Sequence, residues 1–129
     1  DFIKDNSIDF ICTHPPYADV IKYSANEGDI SNLKPEQFIE SLKEVAQESF
    51  RVLKDGKSCA FLIGDIRRNR KVYPLGFKAM TQFLESGFEL REIIIKTQHN
   101  CKMTDYWKDK SKELNFLLLA HEYLFVFKK

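Results

Sequence analysis

The sequence predicts an α/β fold in which helices cover a mostly parallel sheet. Strand-like segments alternate with segments of helical periodicity, in the order strand, helix, strand, helix, strand, loop, strand. Residues 58–63 form an uninterrupted apolar run, which is typical of a strand buried on both faces. The last two strands have no helix between them, so we expect them to pair antiparallel.

Composition and length limit the class of protein to which the chain can belong. The chain has 129 residues, 43% of them hydrophobic and 30% charged, which fits one globular domain or part of one. It does not begin with Met, which fits a fragment, and a net charge of +1 gives no overall attraction for nucleic acid. We find no signal peptide and no apolar run near the roughly 18 residues of a membrane span. Cys12, Cys59 and Cys101 are predicted to be free thiols in a reducing cytoplasm, the first two buried.

Each element of the first half has a local signal. The first strand, residues 7–13, ends at two prolines, and a polar loop follows to residue 34. Pro35 suits the first turn of a helix whose apolar residues recur at helical spacing as far as Leu53. Residues 54–57 are predicted to end this helix in a turn, with Gly56 in the left-handed conformation. The second strand is residues 58–63.

The second half begins with a basic loop, residues 66–73. A second helix is predicted from Pro74 to a stop at Ser86 and Gly87, followed by a strand over residues 88–96. Residues 97–113 are polar and predict a loop. The closing strand is residues 122–127, and the apolar run 116–119 leads into it or forms another strand.

The chemistry is expected at the carboxyl ends of the strands, where open α/β sheets bind their ligands. His14, Pro15, Pro16 and Tyr17 follow the first strand, and Gly64 and Asp65 follow the second. If these strands are neighbours, the two segments converge.

The segment Pro15-Pro16-Tyr17 has specific physical properties. Two prolines fix successive φ angles and lack N–H groups, so the turn is stiff and mainly accepts hydrogen bonds. Acceptors of this kind can hold the hydrogens of an amino group that presents its lone pair to a methyl donor. The ring of Tyr17 can stack on a planar base, which is worth about 1–3 kcal/mol. This combination suits an extruded base.

Three segments carry a family resemblance over nearly the whole chain. Residues 7–17, SIDFICTHPPY, resemble motif IV of amino-group DNA methyltransferases, usually Asp, Asn or Ser followed by Pro-Pro-Tyr. Residues 51–57, RVLKDGK, look like the end of a helix and the turn after it in that fold. Residues 121–129, HEYLFVFKK, look like its closing strand. The resemblance implies a Rossmann-like S-adenosylmethionine-dependent methyltransferase fold with an antiparallel last strand.

The family implies direct transfer of a methyl group from S-adenosylmethionine to the amino group of adenine or cytosine in DNA, in a setting such as restriction–modification. By position, His14 would bind the amino group, the Pro15 carbonyl would accept its second hydrogen, Pro16 would stiffen the turn, and Tyr17 would stack on the flipped base. Thr13 and Asp65 would lie near the cofactor.

Two departures qualify the resemblance. His14 stands where the family has Asp, Asn or Ser; neutral imidazole accepts a hydrogen bond but the cation does not, so activity should fall as His14 protonates. A flat rate profile from about pH 5.5 to 8 would contradict that. The Gly-rich cofactor turn is also absent, because the five glycines are scattered. We therefore expect one partial domain over residues 1–129, the substrate-binding half of the sheet, which by itself binds the cofactor weakly or not at all.

Other candidates keep two interpretations each. Arg67, Arg68, Arg70 and Lys71 could contact DNA phosphates or form a solvated loop. Asp65 could equally cap the turn that follows it. The loop residues Tyr106 and Trp107 could contact DNA, or pack over the sheet. Four residues of the long loop could position substrate or simply face solvent: Lys22, Tyr23, Asn26 and Asp29.

The spacing of Cys12, His14, His99 and Cys101 matches no standard zinc pattern, so no metal is expected. His121 is predicted to be structural.

Alternatives remain for the substrate. An RNA base or a glutamine side chain of a protein also presents a planar group with an NH₂, and Pro-Pro-Tyr does not separate them from DNA. A nucleic-acid-binding domain without catalysis is the third hypothesis.

Overall fold

The computed structural model describes residues 2–17, 24–26, 28–98 and 103–129. Four strands form its main sheet: β1, Ile8–Thr13; β2, Leu53–Ile63; β5, Glu89–Thr97; and β6, His121–Lys128. Their order across the sheet is β1-β2-β6-β5. Strands β1 and β2 pair in parallel, while β6 pairs antiparallel with both of its neighbours.

The predicted α/β class, the mostly parallel sheet and the antiparallel last pair are therefore confirmed, since of these four strands only β6 runs against the others. Strand β6 lies between β2 and β5 and runs antiparallel to both, so β1, β2 and β5 point in the same direction.

Helix α1, Pro35–Val52, begins at a proline as predicted. Pro35 has no N–H to leave unsatisfied in the first turn, and Glu36 complements the positive end of the helix dipole. Its inner side buries Phe38, Leu42 and Ala46 completely. Because these positions are four residues apart, they lie along one side of the helix and face the sheet.

The connection from α1 to β2 differs from the predicted turn. Strand β2 begins directly at Leu53, and its register with β1 moves from Ile8–Leu53 to Phe10–Ser58. Residues 54–57 therefore bulge out of the ladder. Gly56 has φ +71°, so its left-handed conformation is as predicted, although it serves a bulge rather than a helix end.

The predicted basic loop is a β-hairpin. Strands β3, Ile66–Arg68, and β4, Lys71–Tyr73, pair antiparallel around a two-residue turn. Both turn residues, Asn69 and Arg70, have positive φ, at 50° and 65°. Two successive left-handed residues make the turn that matches the twist of paired strands, and only Asn69 is a residue that favours it.

Helix α2, Leu75–Glu85, packs beside α1 on the same face of the sheet. Phe83 stacks on Phe127 with ring centroids 4.9 Å apart and planes 8° from parallel. The core lies between these two helices and the inner face of β2 and β6. Its fully buried aromatic side chains are Phe38, Phe61, Phe83, Phe125 and Phe127.

A third helix, α3, spans Thr104–Leu114, where a loop was predicted. None of its residues is buried, so the apolar periodicity that reveals a helix in a sequence is missing. Its ion pairs join residues three apart, and Asn115 ends it with φ 51°. Residues 116–120 lead into β6 without forming a further strand.

The other face of the sheet carries no helix in the part of the chain that the structure describes. Its alternating side chains include Phe10 and Ile94, exposed by 58% and 48%. Cys12 lies on this face and is exposed, which corrects the prediction that it is buried, whereas Cys59 points into the core. No helix of the described residues is long and apolar enough to cross a membrane.

Candidate functional site

The predicted convergence of the two strand ends is present. Tyr17 accepts a hydrogen bond from the backbone N–H of Gly64, the residue after β2, with 2.9 Å between nitrogen and oxygen. The same hydroxyl donates to Oε1 of Glu122 in β6 at 2.5 Å. The shared direction of parallel neighbours brings the ends of β1 and β2 to one edge, and β6 adds the carboxylate from the antiparallel side.

His14 lies at the rim of this arrangement. Its Nε2 is 3.6 Å from Oε1 of Glu122, and its side chain is 47% exposed. Its ring meets the Tyr17 ring edge to face, with centroids 5.7 Å apart. The side chain thus stands between solvent and a buried carboxylate, in reach of both.

Glu122 is the residue that sequence reasoning missed. It is only 4% exposed, and Nζ of Lys96 in β5 donates to its Oε2 at 2.6 Å. Burial raises the pKa of Glu122, but the hydrogen bonds from Lys96 and Tyr17 outweigh burial, so its pKa lies below the ordinary value. A glutamate inside the apolar run of the closing strand was the available signal, because a charge is buried there only with partners.

Gly64 gives the Tyr17 hydroxyl room to approach. A Cβ on Gly64 would lie 3.3 Å from the Tyr17 hydroxyl oxygen and 3.3 Å from Cγ of Glu122. Both neighbours are held by hydrogen bonds, so a larger residue would press on the network.

Asp65 has partners of its own. Its Oδ1 accepts from the backbone N–H of Gly76 in the first turn of α2 at 2.9 Å. Its Oδ2 accepts from the Tyr123 hydroxyl at 3.2 Å. Burial, followed by the nearby Asp65 charge, raises the pKa of Tyr123. Thr13, the other residue predicted beside the cofactor, is the half-buried last residue of β1.

The four basic residues of the hairpin are not equivalent. The Arg67 guanidinium donates to the carbonyls of Arg70 and Leu117 and lies 4.7 Å from the centroid of the Phe116 ring. It therefore fastens the hairpin to the chain leading into β6. Arg68 is half-buried, while Arg70 and Lys71 are exposed.

Two adjoining clefts border the site. A small cleft of about 140 Å³ is lined by Tyr17, Gly64, Asp65 and Glu122, among others. A larger cleft of about 580 Å³ shares Asp65 and Gln98 with it and extends along an apolar wall. That wall includes Ile66, Met103, Trp107, Phe116 and Leu118.

The remaining candidates that the structure describes on α3 and in the loop before α1 do not line the small cleft. Tyr106 and Trp107 lie on α3 in edge-to-face contact and are about half exposed, and of the two Trp107 lines the larger cleft. Asp29 accepts from Ser24 and from the N–H of Ser31, so it caps a short 3₁₀ helix, and Asn26 is exposed nearby.

His121 contacts the Tyr123 hydroxyl at 3.1 Å and also lines the small cleft. Lys22, Tyr23, His99 and Cys101 lie outside the described residues. Among the described residues, no group of three or more His, Cys, Asp or Glu could hold a metal ion.

The residues described here do not by themselves fit S-adenosylmethionine. The five glycines occupy separate positions, none of them in a Gly-rich turn between a strand and a helix. Both oxygens of Asp65 are engaged by Gly76 and Tyr123. What the site offers instead are hydrogen-bond acceptors and the face of a ring. They belong to a stiff proline turn, an imidazole and an anchored aromatic side chain.

Comparison with known proteins decides the family. A family model described as DNA methylase, of the N6/N4 type, matches residues 8–129.

The chain belongs to the N6/N4 DNA methylase family.

Curated relatives agree with this membership. The orphan methyltransferase M.BamHII of Bacillus amyloliquefaciens is 27% identical over 127 residues, covering 98% of this chain and 40% of the relative. The type II beta methyltransferase M.BslI of a Bacillus species is 29% identical over 143 residues, covering 98% of this chain and 15% of the relative. The chain thus spans less than half the length of these methyltransferases.

Solved structures confirm the fold of this methylase chain. The PvuII DNA methyltransferase, specific for cytosine N4, superposes with a TM-score of 0.76 at 18% identity, over 98% of this chain and 44% of the other. A DNA modification methylase of Thermus thermophilus, complexed with S-adenosyl-L-methionine, superposes with a TM-score of 0.71 at 23% identity. The match covers 99% of this chain and 50% of the other. The predicted methyltransferase fold with an antiparallel last strand is therefore correct.

Proposed function

We propose that this protein transfers a methyl group from S-adenosylmethionine to the exocyclic amino group of adenine or cytosine in DNA. The observation that carries the proposal is the anchored Tyr17 ring beside His14 and the two prolines, in a member of the DNA methylase family. Residues 1–129 would form the substrate-binding half of one domain. Support for this division is the 40% of M.BamHII and 44% of the PvuII enzyme that the chain covers.

The described residues would act by positioning. The Tyr17 hydroxyl is used by Gly64 and Glu122, so its ring is held in one orientation in which it could stack on a planar base. The Pro15 carbonyl and a nitrogen of His14 would accept the two amino hydrogens and orient the nitrogen lone pair. Positioning of this kind, with little chemistry by the protein itself, can account for much of the rate of a direct transfer.

S-adenosylmethionine would supply an activated methyl group when bound. The chain described here would place the acceptor nitrogen, with Thr13 and Asp65 at the side nearest the cofactor. Main anchoring of the cofactor would require residues beyond those described here, since no Gly-rich turn is found among them.

DNA is the proposed substrate because of the clefts and the charge beside them. A base inside a duplex cannot present its amino group in the small cleft next to Tyr17, so it would have to be extruded from the stack. The apolar wall of the larger cleft suits the flat face of a base, and exposed Arg70 and Lys71 suit phosphates. A restriction–modification setting is the role we propose in the cell.

The test uses the complete parent protein, radiolabelled S-adenosylmethionine and unmethylated genomic DNA. Tyr17→Ala is the test variant and Tyr73→Ala, on the hairpin and away from the small cleft, is the matched aromatic control. We expect the wild-type protein to label DNA. The rate of methyl transfer should fall about 100-fold in Tyr17→Ala, because stacking and anchoring are lost, and much less in the control. Base analysis then separates adenine from cytosine.

Other outcomes redirect the proposal in defined ways. Label in transfer RNA, ribosomal RNA fragments or protein, but not in DNA, would keep methyl transfer and replace the substrate. Label in no acceptor would overturn the enzyme and leave a nucleic-acid-binding role. Equal loss in both tyrosine variants would mean that Tyr17 acts through stability alone.

A further inference from the structure

The buried carboxylate of Glu122 joins the two chemically distinct ends of the His14–Tyr17 segment. Its Oε1 accepts from the Tyr17 hydroxyl at 2.5 Å and is 3.6 Å from Nε2 of His14. A glutamate that is 4% exposed costs several kcal/mol of desolvation unless it has partners. A hydrophobic residue at this position of β6 would serve packing alone at lower cost, so the charge requires another reason.

We propose that Glu122 is a positioning residue for methyl transfer, which fixes the Tyr17 ring and, through its charge, biases the tautomer of the His14 imidazole. The proposal rests on the function proposed above.

The Tyr17 side of the network leaves the ring little freedom. Its hydroxyl accepts from the Gly64 N–H at the end of β2 and donates to Glu122 at the start of β6. Two neighbouring strands therefore hold the polar end of the ring. A ring fixed at this end keeps its face in the orientation that a stacked base requires, so little ordering is left to be done when the base arrives.

The His14 side concerns which nitrogen carries hydrogen. At 3.6 Å the Glu122 carboxylate lies beyond hydrogen-bond distance of Nε2, but its negative charge favours the tautomer with its hydrogen on Nε2, which leaves Nδ1 as the acceptor. An acceptor nitrogen is what an amino group with a hydrogen to donate needs. Glu122 thus lets a histidine do the work of the Asp, Asn or Ser that usually occupies this position in the family.

Lys96 completes the arrangement from the edge strand. Its Nζ donates to Oε2 at 2.6 Å, so the two oxygens of Glu122 have different tasks. One oxygen is occupied by the cation, and the other is left for Tyr17 and His14.

The experiment is a double-mutant cycle in the complete parent protein. Glu122→Gln keeps the size of the side chain and one oxygen acceptor but removes the charge, and Tyr17→Phe removes only the hydroxyl. The rate constant of methyl transfer to DNA is measured at saturating DNA and S-adenosylmethionine, with DNA affinity and melting temperature alongside. Glu44→Gln, exposed on α1, is the matched control.

If Glu122 acts through Tyr17, their effects are not independent. We expect each single variant to lower the rate constant about 10-fold and the double variant to lower it by about 10- to 30-fold rather than 100-fold. DNA affinity should change by less than about threefold in these variants. The rate constant of the Glu44→Gln control should change by less than about twofold. If Glu122→Gln does not fold, the pair Glu122→Gln with Lys96→Met, which replaces the ion pair by two neutral groups, takes the place of Glu122→Gln in the cycle with Tyr17→Phe.

Effects that multiply to about 100-fold, or an unchanged rate in Glu122→Gln, would overturn the positioning role while the wild-type protein still methylates DNA. A rate loss matched by a lower melting temperature, and restored on cooling, would overturn it in favour of a purely structural role. A wild-type protein that labels no acceptor would overturn the proposed function and this proposal together.

Discussion

Glycine at position 76 shows how one missing side chain shapes the site. A Cβ built on Gly76 would lie 2.6 Å from Cδ2 of Tyr123. Tyr123 in turn donates its hydroxyl to Asp65, whose other oxygen accepts the Gly76 N–H. The ring and the helix therefore approach closely because position 76 has no side chain.

Gly76→Ala is expected to destabilise the protein although alanine favours helices. The gain in helix propensity is about 1 kcal/mol, whereas forcing an atom into a packed site costs about 1–3 kcal/mol. The net loss should be about 1 kcal/mol in the free energy of unfolding, measured by urea denaturation. At Gly28 an added Cβ meets nothing within 4 Å, so Gly28→Ala is the control. A Gly76→Ala variant more stable than wild type would show that Tyr123 can move aside.

Single residues also mark the limit of sequence interpretation. Pro15, Pro16 and Tyr17 have properties that depend little on context, and their place at a strand end could be predicted. Glu122 and Lys96 are ordinary charged residues until β5 and β6 pair. In that register Lys96 lies opposite Glu122, which is how the carboxylate gains its partner.

Among the secondary structure elements, the β3–β4 hairpin carries a conformational cost. Arg70 has φ 65°, a conformation that costs a non-glycine residue about 1–2 kcal/mol. Glycine is the favoured residue at this place in such a turn. An arginine there lowers stability but places an exposed cation beside the larger cleft. Arg67 of the same hairpin lines that cleft.

Two substitutions of Arg70 separate the conformational cost of its left-handed backbone from the effect of its charge on DNA binding. Arg70→Gly should raise the free energy of unfolding by about 1 kcal/mol over Arg70→Ala, because both lose the cation but only glycine relieves the backbone. Both variants should bind DNA more weakly to the same extent, and each should reduce the slope of log affinity against log salt by about 0.9. Equal stability of the two variants would contradict the left-handed turn, and unchanged salt slopes would contradict the phosphate contact.

Elements differed in how far the sequence could predict them. Helices α1 and α2 each bury an apolar side, and both were predicted from its periodicity. Helix α3 buries nothing and contains three lysines alternating with other polar residues, so its sequence resembles a loop. The hairpin was missed because its turn residues, Asn69 and Arg70, are not the Asn-Gly pair that announces such a turn.

For the whole molecule, the buried network links stability to pH. Burial raises the pKa of Glu122, yet its hydrogen bonds from Lys96 and Tyr17 leave the folded-state pKa below the ordinary value of 4.5. A carboxyl group with a lowered folded pKa stabilises the fold fully above its unfolded pKa. That contribution is lost as pH falls through the folded pKa.

The stability of wild type should therefore fall more steeply between pH 7 and about pH 3 than that of Glu122→Gln, and the difference between the two should shrink in acid. Urea denaturation at a series of pH values measures this. Exposed carboxyl groups such as Asp9 and Glu48 also have lowered pKa values, but they titrate in both proteins and cancel. Parallel pH profiles would mean that folding does not lower the pKa of Glu122.

The sequence by itself determined the α/β class, the two core helices and the family, because these depend on local periodicity and on a short motif at a strand end. Tertiary structure decided the strand order, with β6 between β2 and β5, and the exposure of one sheet face. It also decided that Glu122 of β6 meets Tyr17 after β1, two residues 105 positions apart in the chain. Such a contact depends on which strands pair and in which register, and neither is written in the local properties of the residues that meet.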